Sequence, residues 1–391
     1  MTEKLYYADS HLDSMEAVVL RCEEAENRFA VILDRTVFFP EGGGQPADTG
    51  TIDGIRVTDV QEQDGLIRHM LTDPVAVGSQ VIGRLDWGRR FSCMQNHSGE
   101  HIVSGLVHSR FGYSNVGFHM GSEAITMDFN GAITAEELRE IELQANRTVT
   151  ANLRITAAFP EPDELASMEY RSKIEIDGPV RIVTIPGIDR CACCAPHVSC
   201  TGEIGIIKIT GSERYKGGTR VSMLCGFRAL KDYDKRSGQI AALSVRLSSK
   251  PDYVTEAVER LMAEMEVLKE KKDHLQRELY ACKAENETAG RKNVLAIETD
   301  LTPAEIRFLA NAYMERLEGT AAVFSGNEQQ GYQYVIGSGN LDCRELGKSC
   351  NSALNGRGGG AAQMVQGSVK AGREKIEQWF ADAVQDRHMS E

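Results

Sequence analysis

Two short pairs of candidate metal ligands lie far apart in this chain, and any ion shared between them would require a fold that brings them together. His97 and His101 in NHSGEH stand four residues apart, in a stretch where Met94, Ile102, Leu106 and Val107 recur at helical spacing; Cys193 and His197 repeat the interval inside CACCAPHVSC. Four residues is about one helical turn, so the two imidazoles share a face. A single pair of this kind also occurs on solvated helices, but two pairs together point to a divalent ion. Three imidazoles and a thiolate suit Zn²⁺, one ion per chain, whereas Mg²⁺ or Ca²⁺ would call for oxygen ligands. Spacing alone does not close the set, because Cys191, Cys194 or Cys200 can each replace a histidine and make a structural Cys-rich knot.

The rest of the chain reads as α+β in four parts. Residues 1–90 hold β-rich runs (AVVLRC, FAVIL, GIRVTDV, GLIRHML) punctuated by Asp53-Gly54 and Asp64-Gly65, dipeptides that favour tight hairpins, which predicts a small antiparallel β-barrel. Residues 91–235 are expected to form an α+β zinc-binding domain. It contains a half-buried helix over Arg90 to Phe111, a helix opened by a capping box between Thr134 and Glu137, and strands in VRIVTI, IGIIKI and TRVSML. Residues 236–290 carry Val258, Leu261, Met265, Leu268, Leu275 and Leu279 at alternating steps of three and four, with Lys272 interrupting, which predicts a helical coiled-coil arm. Residues 291–391 alternate helical and strand patterns around NGRGGGAAQMVQGS and are expected to form a small α/β domain.

Composition narrows the functional classes. The 391 residues include ten cysteines, with no basic start and apolar run at the N-terminus and no stretch approaching a membrane span, so a cytoplasmic chain with reduced thiols and no membrane partner is expected. A net charge of -13 argues against coating nucleic acid over the whole surface. Residues 207–236, however, carry Lys208, Arg214, Lys216, Arg220, Arg228, Lys231, Lys235 and Arg236 against Glu213, Asp232 and Asp234, and Arg84, Arg89 and Arg90 extend this candidate basic face. The run Gly356 to Gly360 lacks a following Lys-Ser/Thr, so it is not a Walker loop; it reads either as a phosphate cradle or as a tight turn.

RTVFFPEGGGQPADTG, NHSGEHIVSG, CCAPHVSCTGEIG and YKGGTRVSMLCG, in that order over about residues 30 to 230, resemble the motifs of the alanyl-tRNA synthetase editing domain and its free-standing AlaX relatives. NGRGGGAAQMVQGS resembles the glycine-rich C-terminal domain of the same synthetase, as in the long AlaX form. The resemblance implies a hydrolase that removes a wrong amino acid, serine or glycine, from the acceptor end of tRNA(Ala). It also implies that the synthetase's charging domain has no counterpart here. Carried over by position, the zinc ligands are His97, His101, Cys193 and His197. Gly42, Gly43, Gly44 and Gln45 lie beside the amino-acid pocket, and Thr36 matches a threonine associated with recognising a serine hydroxyl. Glu100 and Gln45 are the candidate catalytic residues, and Arg214, Lys216, Arg220 and Arg357 the candidate tRNA contacts. A homodimer through the arm or the C-terminal domain is the expected assembly. One departure is Cys194-Ala195-Pro196 where many members have Gly-Gly-Thr; Pro196 removes a backbone donor from that loop.

Two rival readings remain at this stage. His97-Ser-Gly-Glu-His101 matches the H-x-x-E-H pattern of inverted zinc peptidases, in which Glu100 would be the general base; otherwise Glu100 is a solvated carboxylate or a neighbour of the ligands. The other is a non-catalytic tRNA-binding module with a structural zinc.

Overall fold

The computed structural model describes residues 2–25, 27–121, 124–172 and 178–385. Two compact units divide the chain, Met1–Ala242 and Leu243–Glu391.

The first unit begins with strands that close on themselves. Ser14–Ala25 pairs with Arg28–Leu33, and the order continues through Leu66–Leu71, Ile55–Gln63, Gly50–Ile52 and Gln80–Leu85 back to the first strand, a closed antiparallel barrel. Alternation along these strands sends Val19, Val31, Leu33, Ile52, Val57, Ile67 and Leu71 inward, where all are essentially fully buried. Each such side chain contributes about 1.5–3 kcal/mol by leaving water. Both Asp-Gly hairpins form as expected: Asp53 and Gly54 have φ of 49° and 80°, and Asp64 and Gly65 of 52° and 72°, the left-handed pair that a two-residue turn requires.

A long helix, Trp87–Phe111, follows the barrel. It starts three residues before the expected Arg90 because Asp86 caps it, accepting from the Arg89 amide. It is not the half-buried surface helix that the periodicity suggests, since Cys93 through Gly105 are buried on every side. Two glycines allow this: a Cβ on Gly99 would lie 2.3 Å from the Cys225 sulfur, and one on Gly105 would lie 2.4 Å from the Ile188 carbonyl oxygen. One side of the helix faces a four-stranded antiparallel sheet in the order Ile207–Tyr215, Gly218–Cys225, Ile125–Phe129, Asn115–Met120. The helix Ala135–Thr150, opened by the expected Thr134–Glu137 capping box, completes this core. A smaller sheet, Thr156–Ala158, Ile182–Ile185 and Asp189–Ala192, carries the chain to the second ligand pair.

In the second unit, the helix Val254–Thr288 is continuous, but its apolar seam lies on the surface: Leu261, Met265, Leu268, Leu275 and Leu279 are 46–64% exposed. Ala257 in its first turn is buried, and its C-terminal end is covered where Tyr280 and Ala284 join Leu309, Ala310 and Tyr313 of the helix Pro303–Met314. A five-stranded sheet ordered Val294–Glu298, Thr320–Asn327, Gly331–Ser338, Met364–Val369, Arg357–Gly360 forms the remainder. The run Arg357–Gly360 is neither cradle nor turn; it is an exposed edge strand paired with Met364–Val369. Among the described residues no helix is long and apolar enough to cross a membrane.

His69 lies inside the barrel wall, fully buried, and fixes one hydrogen-bond chain there. Its Nδ1–H donates to the Val31 carbonyl at 3.0 Å and its Nε2 accepts from the Thr36 hydroxyl at 2.8 Å, while Thr36 Oγ1 accepts from the Phe38 amide at 3.0 Å. Burial pushes this imidazole down to about 4, below the roughly 6.5 of an unfolded histidine. The unfolded chain therefore takes up the proton more readily. Stability from the neutral ring is complete above pH ~6.5 and is lost as the pH falls from there through about 4, by about 3 kcal/mol at most. In a Trp379→Phe background, where Trp87 alone reports the first unit, urea unfolding is expected to show this slope, and His69→Gln is expected to remove it. Identical slopes would contradict the assignment.

Candidate metal centre

His97 and His101 emerge from one face of the buried helix with their rings 5.5 Å apart. Cys193 and His197 come from the loop that follows the strand Asp189–Ala192. The four ligand atoms all lie within 4.8 Å of one another, and the Cys193 sulfur is 3.6 Å from His97 Nε2 and 3.4 Å from His197 Nε2.

The opposite side of each imidazole explains this convergence. His97 Nδ1 bonds Gln45 Oε1 at 2.9 Å, His101 Nδ1 bonds Asp189 Oδ2 at 2.8 Å, and His197 Nδ1 bonds Ser98 Oγ at 3.1 Å. With an acceptor outside each ring, Nδ1 carries the hydrogen and the Nε2 lone pair points inward, the tautomer a metal ligand needs. Asp189 is itself held by Arg171, whose Nε and Nη2 each donate at 2.8 Å. The glycine loop is braced to the helix through a buried ion pair: Arg90 meets Asp48, and Asp48 also accepts from the Phe39 amide at 2.7 Å. Gly44, at φ 79°, brings that loop against Phe118, and a Cβ there would lie 2.7 Å from the Phe118 ring and carbonyl.

Electrostatics favour a cation at the focus. Burial disfavours a thiolate, yet the imidazoles of His97 and His197, with hydrogen bonds from His101 and His197, hold Cys193 well below the ordinary thiol range. Burial also disfavours a charge on His101, but the hydrogen bonds of Asp189 and Cys193 draw it well above 6.5. Burial pushes His197 down to about 3 and keeps it neutral. A buried thiolate with three oriented nitrogens fits zinc by donor chemistry.

Three of these ligands, His97, His101 and Cys193, line a cavity of about 490 Å³ with Tyr7, Gly43, Phe118, Phe159 and Arg181. Of the predicted pocket residues, Gly43 reaches this space. Gly42 sits behind it, near Cys194, and Gln45 acts through His97, with its Nε2 buried and lacking a hydrogen-bond partner. Thr36 is not on the cavity wall; its hydroxyl is spent inside the barrel wall on His69 and Phe38. Glu100 is 1% exposed, so it is not a solvated carboxylate; its Oε1 accepts from Ser104 and Asn115. Cys194 and Cys200 belong to none of the metal-capable clusters among the described residues, whereas Cys191 makes a second one with His101 and Asp189.

The basic stretch is partly neutralised within the fold. Lys208 pairs with Glu142, Arg220 with Asp128 and Arg236 with Asp232, while Arg90, expected on that face, is fully buried against Asp48. Arg214 and Lys216, at the hairpin between the two longest strands of the four-stranded sheet, are exposed, and so is Arg357 in the second unit. Sequence reasoning missed Asp189, Ser98, Asp48, Arg171 and Arg181. Only Ser98, set between the two histidines, had a local signal.

Residues 180–222 match the threonyl and alanyl tRNA synthetase second additional domain, residues 3–89 match the class II (A) tRNA synthetases, and residues 291–386 match the DHHA1 domain. The alanyl-tRNA editing protein AlaX-L of Pyrococcus horikoshii is 27% identical, over 96% of this chain and 96% of its own length. Alanyl-tRNA editing protein Aarsd1 of Mus musculus is 32% identical, over 69% of this chain and 70% of its own. An alanine–tRNA ligase of Halobacterium salinarum is 32% identical over 86% of this chain, which accounts for 38% of that enzyme. The chain belongs to the alanyl-tRNA editing protein family.

Replacing Asp189 by Asn removes the charge that orients His101 and keeps the shape. Zinc affinity, measured by chelator competition, is expected to fall about 10- to 100-fold. An unchanged affinity would remove Asp189 from the centre.

Proposed function

We propose that this protein is a trans-editing aminoacyl-tRNA deacylase that hydrolyses the ester joining serine, and secondarily glycine, to the 3′ end of tRNA(Ala). The observation that carries this reading is the convergence of His97, His101, His197 and Cys193, three of which line a cavity large enough for an aminoacylated nucleoside, in a chain of the editing family. These four residues would hold zinc, which when bound would supply Lewis acidity toward the ester and a lowered pKa for nearby water. Gln45, Ser98 and Asp189 hold the three imidazoles in orientation, each through its Nδ1. Phe118 and Phe159 give the cavity apolar walls that limit stray water, and Gly43 lets backbone approach the bound amino acid. Arg214 and Lys216 are the residues of the first unit that we assign to tRNA phosphates, with Arg357 adding a contact from the second.

The peptidase reading loses support because an H-x-x-E-H site does not call for the Cys193 and His197 pair that joins His97 and His101; Glu100 Oε1 accepts from Ser104 and Asn115, and its Oε2 lies 3.9 Å from His101 Nε2. A pure binding module would protect Ser-tRNA(Ala) from hydrolysis. Single-turnover assays with excess protein are expected to show deacylation of Ser-tRNA(Ala), with about one zinc per chain by elemental analysis. Cys193→Ala and His101→Ala are expected to drop the rate below about one-hundredth. Full activity in metal-free protein would end this reading.

The exposed seam of Leu261, Met265, Leu268, Leu275 and Leu279 is assigned to a second copy of the chain. Light scattering is expected to give a dimer that Leu268→Glu converts to monomer; an unchanged mass would remove the assignment.

A further inference from the structure

Two guanidinium groups near the centre meet carboxylates, and a third, on the cavity wall, does not. Arg90 is paired with Asp48 and Arg171 with Asp189. Arg181 is 7% exposed, and among the described residues no carboxylate pairs with it. Its Nη1 donates to the carbonyls of Cys193 and Ala195 at 3.0 and 2.9 Å, and its guanidinium carbon lies 5.1 Å from the centre of the Tyr7 ring. Among the described residues no hydrogen bond takes up the donors on Nε and Nη2, on a side chain that lines the same cavity as His97, His101 and Cys193. A buried charge left without a counter-ion is costly, so a fork of free donors facing a cavity is suited to an anion brought by the ligand.

The chemistry of the substrate identifies that anion. An aminoacyl ester has no free carboxylate, and its amino group is cationic, so the amino acid itself is not what a guanidinium attracts. The nearest negative charge to the ester is the phosphodiester on the 5′ side of the terminal adenosine. Beside Arg181, Tyr7 and Phe159 stand edge to face with ring centres 5.5 Å apart, and Phe159 is 48% exposed, offering an aromatic face to the terminal base.

We propose that Arg181 binds the phosphate 5′ to the terminal adenosine of the charged tRNA and thereby sets the ester against the metal-ligand cluster. This rests on the deacylase reading and names the residue that anchors its substrate. A residue that served only to pin the Cys193–Ala195 loop would affect every substrate alike, which gives the test its readout.

Two minimal substrates separate the roles, 2′(3′)-O-seryl-adenosine and its 5′-monophosphate, each given to the zinc-loaded full chain. Wild type is expected to show kcat/KM about 10- to 100-fold higher with the phosphate than without. In Arg181→Gln the ratio is expected to fall to about one, with zinc content unchanged. If that variant does not fold, Arg181→Lys, which keeps a point charge without the fork, is expected to show an intermediate ratio. Calorimetry with AMP and adenosine reads the same contrast without turnover. Equal rates on the two substrates in wild type, or a phosphate preference that survives in Arg181→Gln, would overturn the proposal and leave the deacylase reading standing. Failure of wild type on both substrates and on Ser-tRNA(Ala) would remove both.

Discussion

The hydrogen bonds on the outer sides of three imidazoles constrain everything else in the first unit. Gln45 reaches His97 from the glycine loop after the first barrel strands, Ser98 reaches His197 from within the long helix, and Asp189 reaches His101 from the small sheet. No one of these segments makes the centre alone. The barrel must hold its loop against the helix, which the Arg90–Asp48 pair does, and the helix must run through the interior, which Gly99 and Gly105 permit. A metal bound to such a site stabilises the assembly of all three segments, because ligands scattered in the unfolded chain do not form it.

Burying so many polar groups along one helix is costly unless each is satisfied. Gln95, Asn96, His97, Ser98, Glu100 and His101 are successive or nearly successive and all buried, and most have found partners on other elements: Gln95 bonds the Glu203 carbonyl, Asn96 receives the Cys225 amide, and Glu100 receives Ser104 and Asn115. The helix is therefore a polar seam clamped between sheets, and its sequence looks amphipathic only because the polar side faces protein rather than water.

This explains which features were legible in the sequence. Local signals survived folding: the Asp-Gly hairpins, the Thr134–Glu137 capping box, and the four-residue ligand pairs depend on neighbours along the chain. Features decided by distant partners did not. Asp189 and Arg171 carry no pattern that ties them to His101, and Arg90 reads as one more cation beside Arg89 until Asp48 is seen against it. Thr36 was placed by family resemblance near a substrate, but its hydroxyl is committed to His69 inside the barrel wall. The glycines of Arg357–Gly360 suggested a loop, whereas close pairing with Gly367 and its neighbours makes them a strand.

The crowding of cysteines around the second ligand pair leaves one question that bears on the whole account, namely which atoms hold the ion. Four donors converge geometrically, and the outward hydrogen bonds prepare three of them as imidazole nitrogens. X-ray absorption at the zinc edge of the purified, zinc-loaded chain measures the ligand set directly. The account predicts one sulfur at about 2.3 Å and the remaining protein ligands as nitrogens at about 2.0–2.1 Å. Two or more sulfurs would show that Cys191, Cys194 or Cys200 displaces a histidine, and would contradict a centre built from His97, His101, Cys193 and His197.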